Sequence, residues 1–208
     1  MPACGEGVRR APVGFGPVAL ALMLAVLPVW GCASRPGPPG PGEFRGVVPD
    51  LRGQRVLVLP VQLRGSVPDG PLADAELAHA LRTLGQGVGW VFPPEVDELL
   101  ARSPGVSALI RELPVGVFLR AEVERIGDPL YGDLRRLSAL TGAGIALIPV
   151  ELRYSEAGAY RITAALVSLR SGRVDWQGVV EGDVRAEEDP AALASAAEKL
   201  ARAVLPFG

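Results

Sequence analysis

Residues 145–154 read IALIPVELRY and residues 160–169 read YRITAALVSL, with SEAGA between them. Both segments are rich in β-branched, aliphatic and aromatic residues. Ser155–Ala159 contains a glycine and has turn chemistry. The pattern predicts a β-hairpin. Ser171-Gly172 then turns the chain again. In residues 173–184, Val174, Trp176 and Val180 alternate with Asp175, Gln177, Glu181 and Asp183. That alternation predicts a third strand with one face buried and one solvated. Three strands in a row joined by short turns make an antiparallel meander.

Upstream, the pattern changes. RVLVLPV (55–61) is a continuous apolar run, which predicts a strand over Val56–Leu59 buried on both faces. Pro60 cannot donate to a ladder, so it marks the end of that strand or a bulge. DGPLADAELAHALRTLG follows, with Leu77, Leu81 and Leu84 at helical spacing, Pro71 in the first turn and Gly85 at the C-terminal end. Residues 90–92 (WVF) predict a short strand. Pro93-Pro94 open a second helix whose first turn carries Glu95, Asp97 and Glu98, favourable to the helix dipole, and Ser103-Pro104-Gly105 ends it. Residues 106–126 fit a strand through Val115, Val117, Leu119, Ala121 and Val123, and equally a helix through Val115, Phe118, Leu119, Val123 and Ile126.

Asp128-Pro129 predicts an N-cap followed by proline at the first helical position. Leu130, Leu134, Leu137 and Thr141 mark one face of that helix, and Gly142 closes it. Asp189-Pro190 caps a last helix carrying Leu193, Ala197, Leu200 and Val204. The whole predicts an α/β (α+β) domain: a mixed sheet ending in an antiparallel meander, with helices packed on it.

Before residue 54 nothing predicts a fold. Arg9-Arg10 precede a stretch from Ala11 to Ser34 without a charged residue, and Val18–Val29 is almost wholly Ala, Leu, Val and Met. A basic start, an apolar middle and small residues at the end describe an export signal. The uncharged stretch could span a bilayer, but Pro17 and Pro28 interrupt it. It ends on Val29-Trp30-Gly31-Cys32, which resembles the lipobox of bacterial lipoproteins: aliphatic, variable, small, cysteine. The resemblance implies cleavage before Cys32, residues 1–31 as the signal, and a lipid on the Cys32 thiol. Cys4 and Cys32 are the two cysteines of the chain. Cys4 would leave with the signal, so no internal disulfide is expected. Residues 32–53, with PGPPGPG at 36–42, predict a semi-stiff tether to a single domain over 54–208.

The domain also resembles the N-terminal domain of TolB, the CsgG-like curli secretion lipoproteins and the lipoprotein activators of penicillin-binding proteins. The residues that carry this are Val56-Leu57-Val58-Leu59-Pro60-Val61, LSALTGAGIAL (137–147) and SLRSGRVDW (168–176). The resemblance implies a lipid-anchored envelope protein without enzymatic activity, whose domain faces the periplasm and binds an envelope partner. Ala33 after the cysteine lacks the aspartate that retains some lipoproteins at the inner membrane, so the outer membrane is expected. A secretion-ring subunit and an envelope hydrolase are the alternatives. The ring would need membrane-inserted hairpins, for which only 112–126 offers a strand.

Charge and chemistry point the same way. Lys+Arg 21 against Asp+Glu 23 gives −2, no footprint for nucleic acid. His79 is the only histidine, so no His/Cys metal set is expected. No G-x-S-x-G appears. GQGVGW (85–90) has the wrong spacing for a phosphate loop and follows a helix. Asp97, Glu98, Glu187, Glu188 and Asp189 sit at helix starts, where carboxylates stabilise the end. Arg135-Arg136 and Arg153 with Arg161 are candidates for a basic patch, read as a solvated face. Trp90, Trp176 and Tyr160 are expected in the core or on a sheet face rather than in a ligand cage. No cofactor is expected.

Overall fold

The computed structural model describes residues 40–65, 70–106, 108–120 and 122–206. In chain order the elements are β1 (Phe44–Gly46), β2 (Arg55–Val58), β3 (Leu63–Arg64), α1 (Gly70–Leu84), β4 (Gly89–Val91) and α2 (Pro93–Ala101). A 3-10 turn (Val115–Leu119) leads to α3 (Leu130–Thr141), β5 (Ile145–Tyr154), β6 (Tyr160–Ser168), β7 (Val174–Glu181) and α4 (Pro190–Val204). The strands form one mixed sheet in the order β1-β7-β6-β5-β2-β4, with β3 also beside β5. β2 is parallel to β4 and β5, β3 is parallel to β5, and β5-β6-β7-β1 run antiparallel. The expected α/β sandwich with a C-terminal meander is therefore the fold.

Each face of the sheet has its own core. On one, α1 and α4 cover Val56, Val58, Leu147, Ile162, Leu166, Trp176 and Val180. Helix α4 lies close because Ala192, Ala196, Ala197 and Ala201 form its inner stripe, with Leu193, Leu200 and Val204 filling the gaps. Burying each of those larger side chains stabilises by about 1.5–3 kcal/mol. Asp189 caps this helix, its side chain accepting from Ala191 N at 2.9 Å. On the opposite face, α2 and α3 cover Leu57, Ala146, Ile148, Ala165 and Val167. All four residues expected on the inner face of α3 are buried, and Gly142 ends it at φ 69.

Four expectations need correction. The tether ends sooner than residue 53: Phe44–Gly46 pairs antiparallel with Trp176–Gly178, and Leu51 is buried in the core. The Pro/Gly composition around it hid a three-residue strand whose support comes from β7. Residues 108–126 are neither a strand nor an α-helix: apart from Ala121, which is not described, they run as irregular chain around the 3-10 turn, sealed by Ile110, Leu113, Val115, Phe118 and Ile126. Asp128 does not cap α3: Pro129 holds the N-cap position without a side-chain bond, and the Gly127 carbonyl accepts from Tyr131 N instead.

Last, β7 has no solvated face along its middle. Gln177 and Val179 are as buried as Trp176 and Val180, because residues 115–119 lie over them. A bulge also splits its alternation. Leu166 faces Trp176 while Val167 faces Val174, leaving Asp175 as the extra residue. Val174 therefore joins the α3 side and Trp176 the α4 side.

Candidate interaction site

Strand β5 also carries a bulge. Pro149 pairs with Ala164 but Glu151 with Thr163, so Val150 is the extra residue. Before it, Ile145 and Leu147 face α1 and α4. Strict alternation would send Glu151 and Arg153 into that same apolar core. The bulge instead turns Leu152 into it and swings Glu151 and Arg153 to the opposite face. There they line a groove of about 330 Å³ with Arg161, Thr163 and Val179 from β6 and β7, Phe118 and Leu119 from the 3-10 turn, and Gly40-Pro41 from the segment leading into β1.

The groove lining is partly charged and partly apolar. Arg153 and Arg161 stand directly opposite each other across the hairpin. Arg161 is held by Glu181, its Nη2 donating to Oε2 at 2.8 Å and its Nε at 3.3 Å. Arg153 Nε lies 3.7 Å from Glu151 Oε2, an ion-pair distance without a hydrogen bond. Phe118 and Leu119 form the apolar wall, and Val179 lies beside Thr163 on the sheet.

Two buried glutamines hold the chain that forms this wall. Gln62 Nε2 donates to the Pro60 and Ile110 carbonyls at 2.6 and 2.9 Å, and Leu113 N donates to its Oε1 at 2.9 Å. Gln177 Nε2 donates to the Phe118 carbonyl at 2.8 Å. Next to Gln62, Asp74 Oδ1 accepts from Val61 N at 2.8 Å and its Oδ2 lies 3.5 Å from Arg111. Burial pushes the Asp74 carboxyl above its ordinary range, with the Val61 N–H and the Arg64 and Arg111 charges opposing.

Other flagged residues lie elsewhere. His79 is exposed on α1, above a shallow depression shared with Glu76 and Glu198. GQGVGW forms the connection from α1 to β4, where Trp90 Nε1 donates to the Gly85 carbonyl. Glu95 pairs with Arg55 and Glu98 with Arg102, while Asp97 is exposed. Glu187 receives a bond from Tyr160 Oη on its carbonyl, and Glu188 is exposed. Arg136 pairs with Asp133, and Arg135 lies over the Tyr131 ring, so the α3 arginines and the strand arginines belong to different elements. Trp176 and Tyr160 are in the core, and Trp90 packs at its margin. Cys32 lies outside the described residues. Among the described residues no group of three His, Cys, Asp or Glu side chains could hold a metal, and no helix is long and apolar enough to cross a membrane.

The sequence singles out Arg153 and Arg161 but not the groove or Gln62, and it places the buried Gln177 on a solvated face. Counting the hairpin outward from the turn at 155–159 would have paired the two arginines, because Tyr154 meets Tyr160 in the step before. No sequence signal announces the wall, which comes from distant residues.

No family model matches the chain. No curated protein matches it either. Among solved structures, it is similar to a single-residue variant of the PelC dodecamer from Paraburkholderia phytofirmans, at 19% identity, covering 78% of this chain and 94% of that one, with a TM-score of 0.43. It is similar to the C-terminal domain of LpoB from Salmonella enterica at 16% identity, over 62% of this chain and 82% of that one, with a TM-score of 0.43. A third is the lipoprotein GNA1162 from Neisseria meningitidis, at 20% identity, 65% and 84% coverage, and a TM-score of 0.40.

Proposed function

We propose that this chain is a non-enzymatic, lipid-anchored protein of the bacterial cell envelope, whose α/β domain binds an envelope protein while Cys32 holds it at the membrane. The observation that carries this reading is the apolar run closing on Val29-Trp30-Gly31-Cys32, directly followed by a proline-glycine spacer and then a folded domain. One acyl chain binds a membrane marginally, and two or more bind stably, at about 0.8 kcal/mol per buried methylene. Ala33 after the cysteine favours the outer membrane, with the domain on the periplasmic side.

The early start of the fold shortens the leash. Gly40 already belongs to the groove, so eight Cα steps separate it from Cys32. Fully extended, they reach at most about 30 Å. A tether running to residue 53 would have reached roughly two and a half times as far. In this reading the domain works close to the membrane surface that holds it.

Fractionation of cells carrying the full chain tests the anchor, together with mass spectrometry of the mature N-terminus. Expected is a chain beginning at a diacylglycerol-modified, N-acylated Cys32 in the membrane fraction, and a Cys32→Ser protein that no longer carries lipid. An unmodified Cys32 in the mature protein would refute the anchor. Crosslinking in envelope extracts tests the partner: a domain that crosslinks to no envelope protein speaks against the binding role.

A further inference from the structure

The groove beside the tether has features that the fold does not require. Like charges directly opposite each other on adjacent strands are unfavourable, yet Arg153 and Arg161 occupy such a pair. Their carboxylate neighbours lie to the sides: Glu181 is opposite Arg161 on β7, and Glu151 is two residues before Arg153 on β5. Arg161 uses Nε and Nη2 on Glu181, and its Nη1 has no protein hydrogen bond among the described residues. Arg153 has an ion-pair distance to Glu151 but no hydrogen bond among the described residues, and half of its side chain is exposed. The bulge at Val150 is what brings Glu151 and Arg153 to this face at all.

We infer that this groove binds the carboxylate end of a peptide chain, with Arg153 and the free edge of Arg161 as its carboxylate donors. Arginine presents paired N–H donors in a planar fork that fits a carboxylate. Phe118, Leu119, Val179 and Pro41 supply its apolar lining. A chain end carries both matching features on one residue, a carboxylate and a side chain a few ångströms away. The volume of about 330 Å³ lies at the small end of ligand pockets, suited to a chain terminus rather than to a long segment. Thr163 lines the groove beside its β7 partner Val179. This inference rests on the reading that the domain binds a partner, and is independent of the lipid on Cys32.

Calorimetric titration of the full chain in detergent with the tripeptide Ala-Ala-Leu, as free acid and as C-terminal amide, tests it. The expected result is saturable binding of the acid, at least tenfold weaker binding of the amide, and loss of that difference in Arg153→Gln. Arg153→Lys should fall between, since it keeps the charge and loses the fork. Arg170→Gln, an exposed arginine outside the groove, should bind like the parent. Unchanged thermal unfolding of Arg153→Gln shows that the fold is intact. Equal binding of acid and amide, full binding by Arg153→Gln, or no binding at all overturns the inference. So does displacement of the peptide by acetate or octanoate at equal affinity, which would make the groove a simple anion or lipid site. A protein that crosslinks to an envelope partner but ignores the peptide refutes this inference and leaves the binding role standing.

Discussion

Gln62 shows how one side chain can hold an irregular segment. It is 8% exposed and makes three hydrogen bonds to main-chain groups, two of them about 50 positions away in sequence, at Ile110 and Leu113. Between those two residues Glu112 adopts φ 59, an unfavourable conformation for a residue with a side chain. The bonds from Gln62 hold that turn in place. Gln62→Ala would leave a buried N–H and two carbonyls without partners. Urea denaturation should show a loss of about 2–4 kcal/mol. A loss below about 1 kcal/mol would show that water or a shifted main chain replaces the amide.

Asp74, beside it, makes a prediction about pH. Its carboxyl is raised in the fold by burial, so the folded protein binds that proton more tightly than the unfolded chain does. Between the ordinary carboxylate range and the raised value, this group makes stability fall as pH rises. Asp50, lowered to about 2 by its hydrogen bonds from Arg52, and Asp183, lowered by Lys199, act with the opposite sign: their stabilisation fades as pH falls below the ordinary carboxylate range. Asp74→Asn can keep the bond from Val61 N and removes only the ionisation. Its denaturation midpoint, followed in steps from pH 4 upward, should lack the decline attributed to Asp74 and equal or exceed the parent at neutral pH. A parallel pH profile for both proteins would remove Asp74 from this role.

At the scale of elements, β1 is the most dependent part of the fold. Three residues cannot form a stable strand alone. Phe44 stacks on Trp176 with ring centroids 5.7 Å apart, Arg45 reaches Glu122 at 2.8 Å, and Val47 N donates to the Asp175 carbonyl at 2.9 Å. Gly46 sits at φ 78, and a Cβ there would overlap the Asp175 carbonyl oxygen. Gly46→Ala should therefore detach β1 at a cost of about 2 kcal/mol or more. Hydrogen exchange should rise at least tenfold at the Val47 and Val179 amides, with the β5–β6 amides unchanged. Protection at Val47 equal to the parent would contradict this. Detachment would also withdraw Gly40 and Pro41 from the groove, so the segment leading into β1 and the groove depend on one element.

Across the whole molecule, the periodic segments were legible without a structure. Leu130, Leu134, Leu137 and Thr141 repeat at the helical period and are buried together; Asp189 caps α4; the turn at 155–159 joins two strands. These are local patterns, governed by backbone geometry within a few residues. Composition concealed β1, because a proline-glycine context reads as spacer and the strand's support lies about 130 residues downstream. The solvated face expected on β7 was overridden by a segment whose pattern fits strand and helix equally, which two buried glutamines fasten over the sheet. The sequence by itself determined the fold class, the helices and the meander, and it marked Cys32 as the candidate attachment point. Only the tertiary structure decided where the domain begins and that Arg153 and Arg161 share a groove with Phe118 and Val179. The reason is physical: a bulge reverses which face a side chain joins, and only pairing with a distant strand reveals where the extra residue lies.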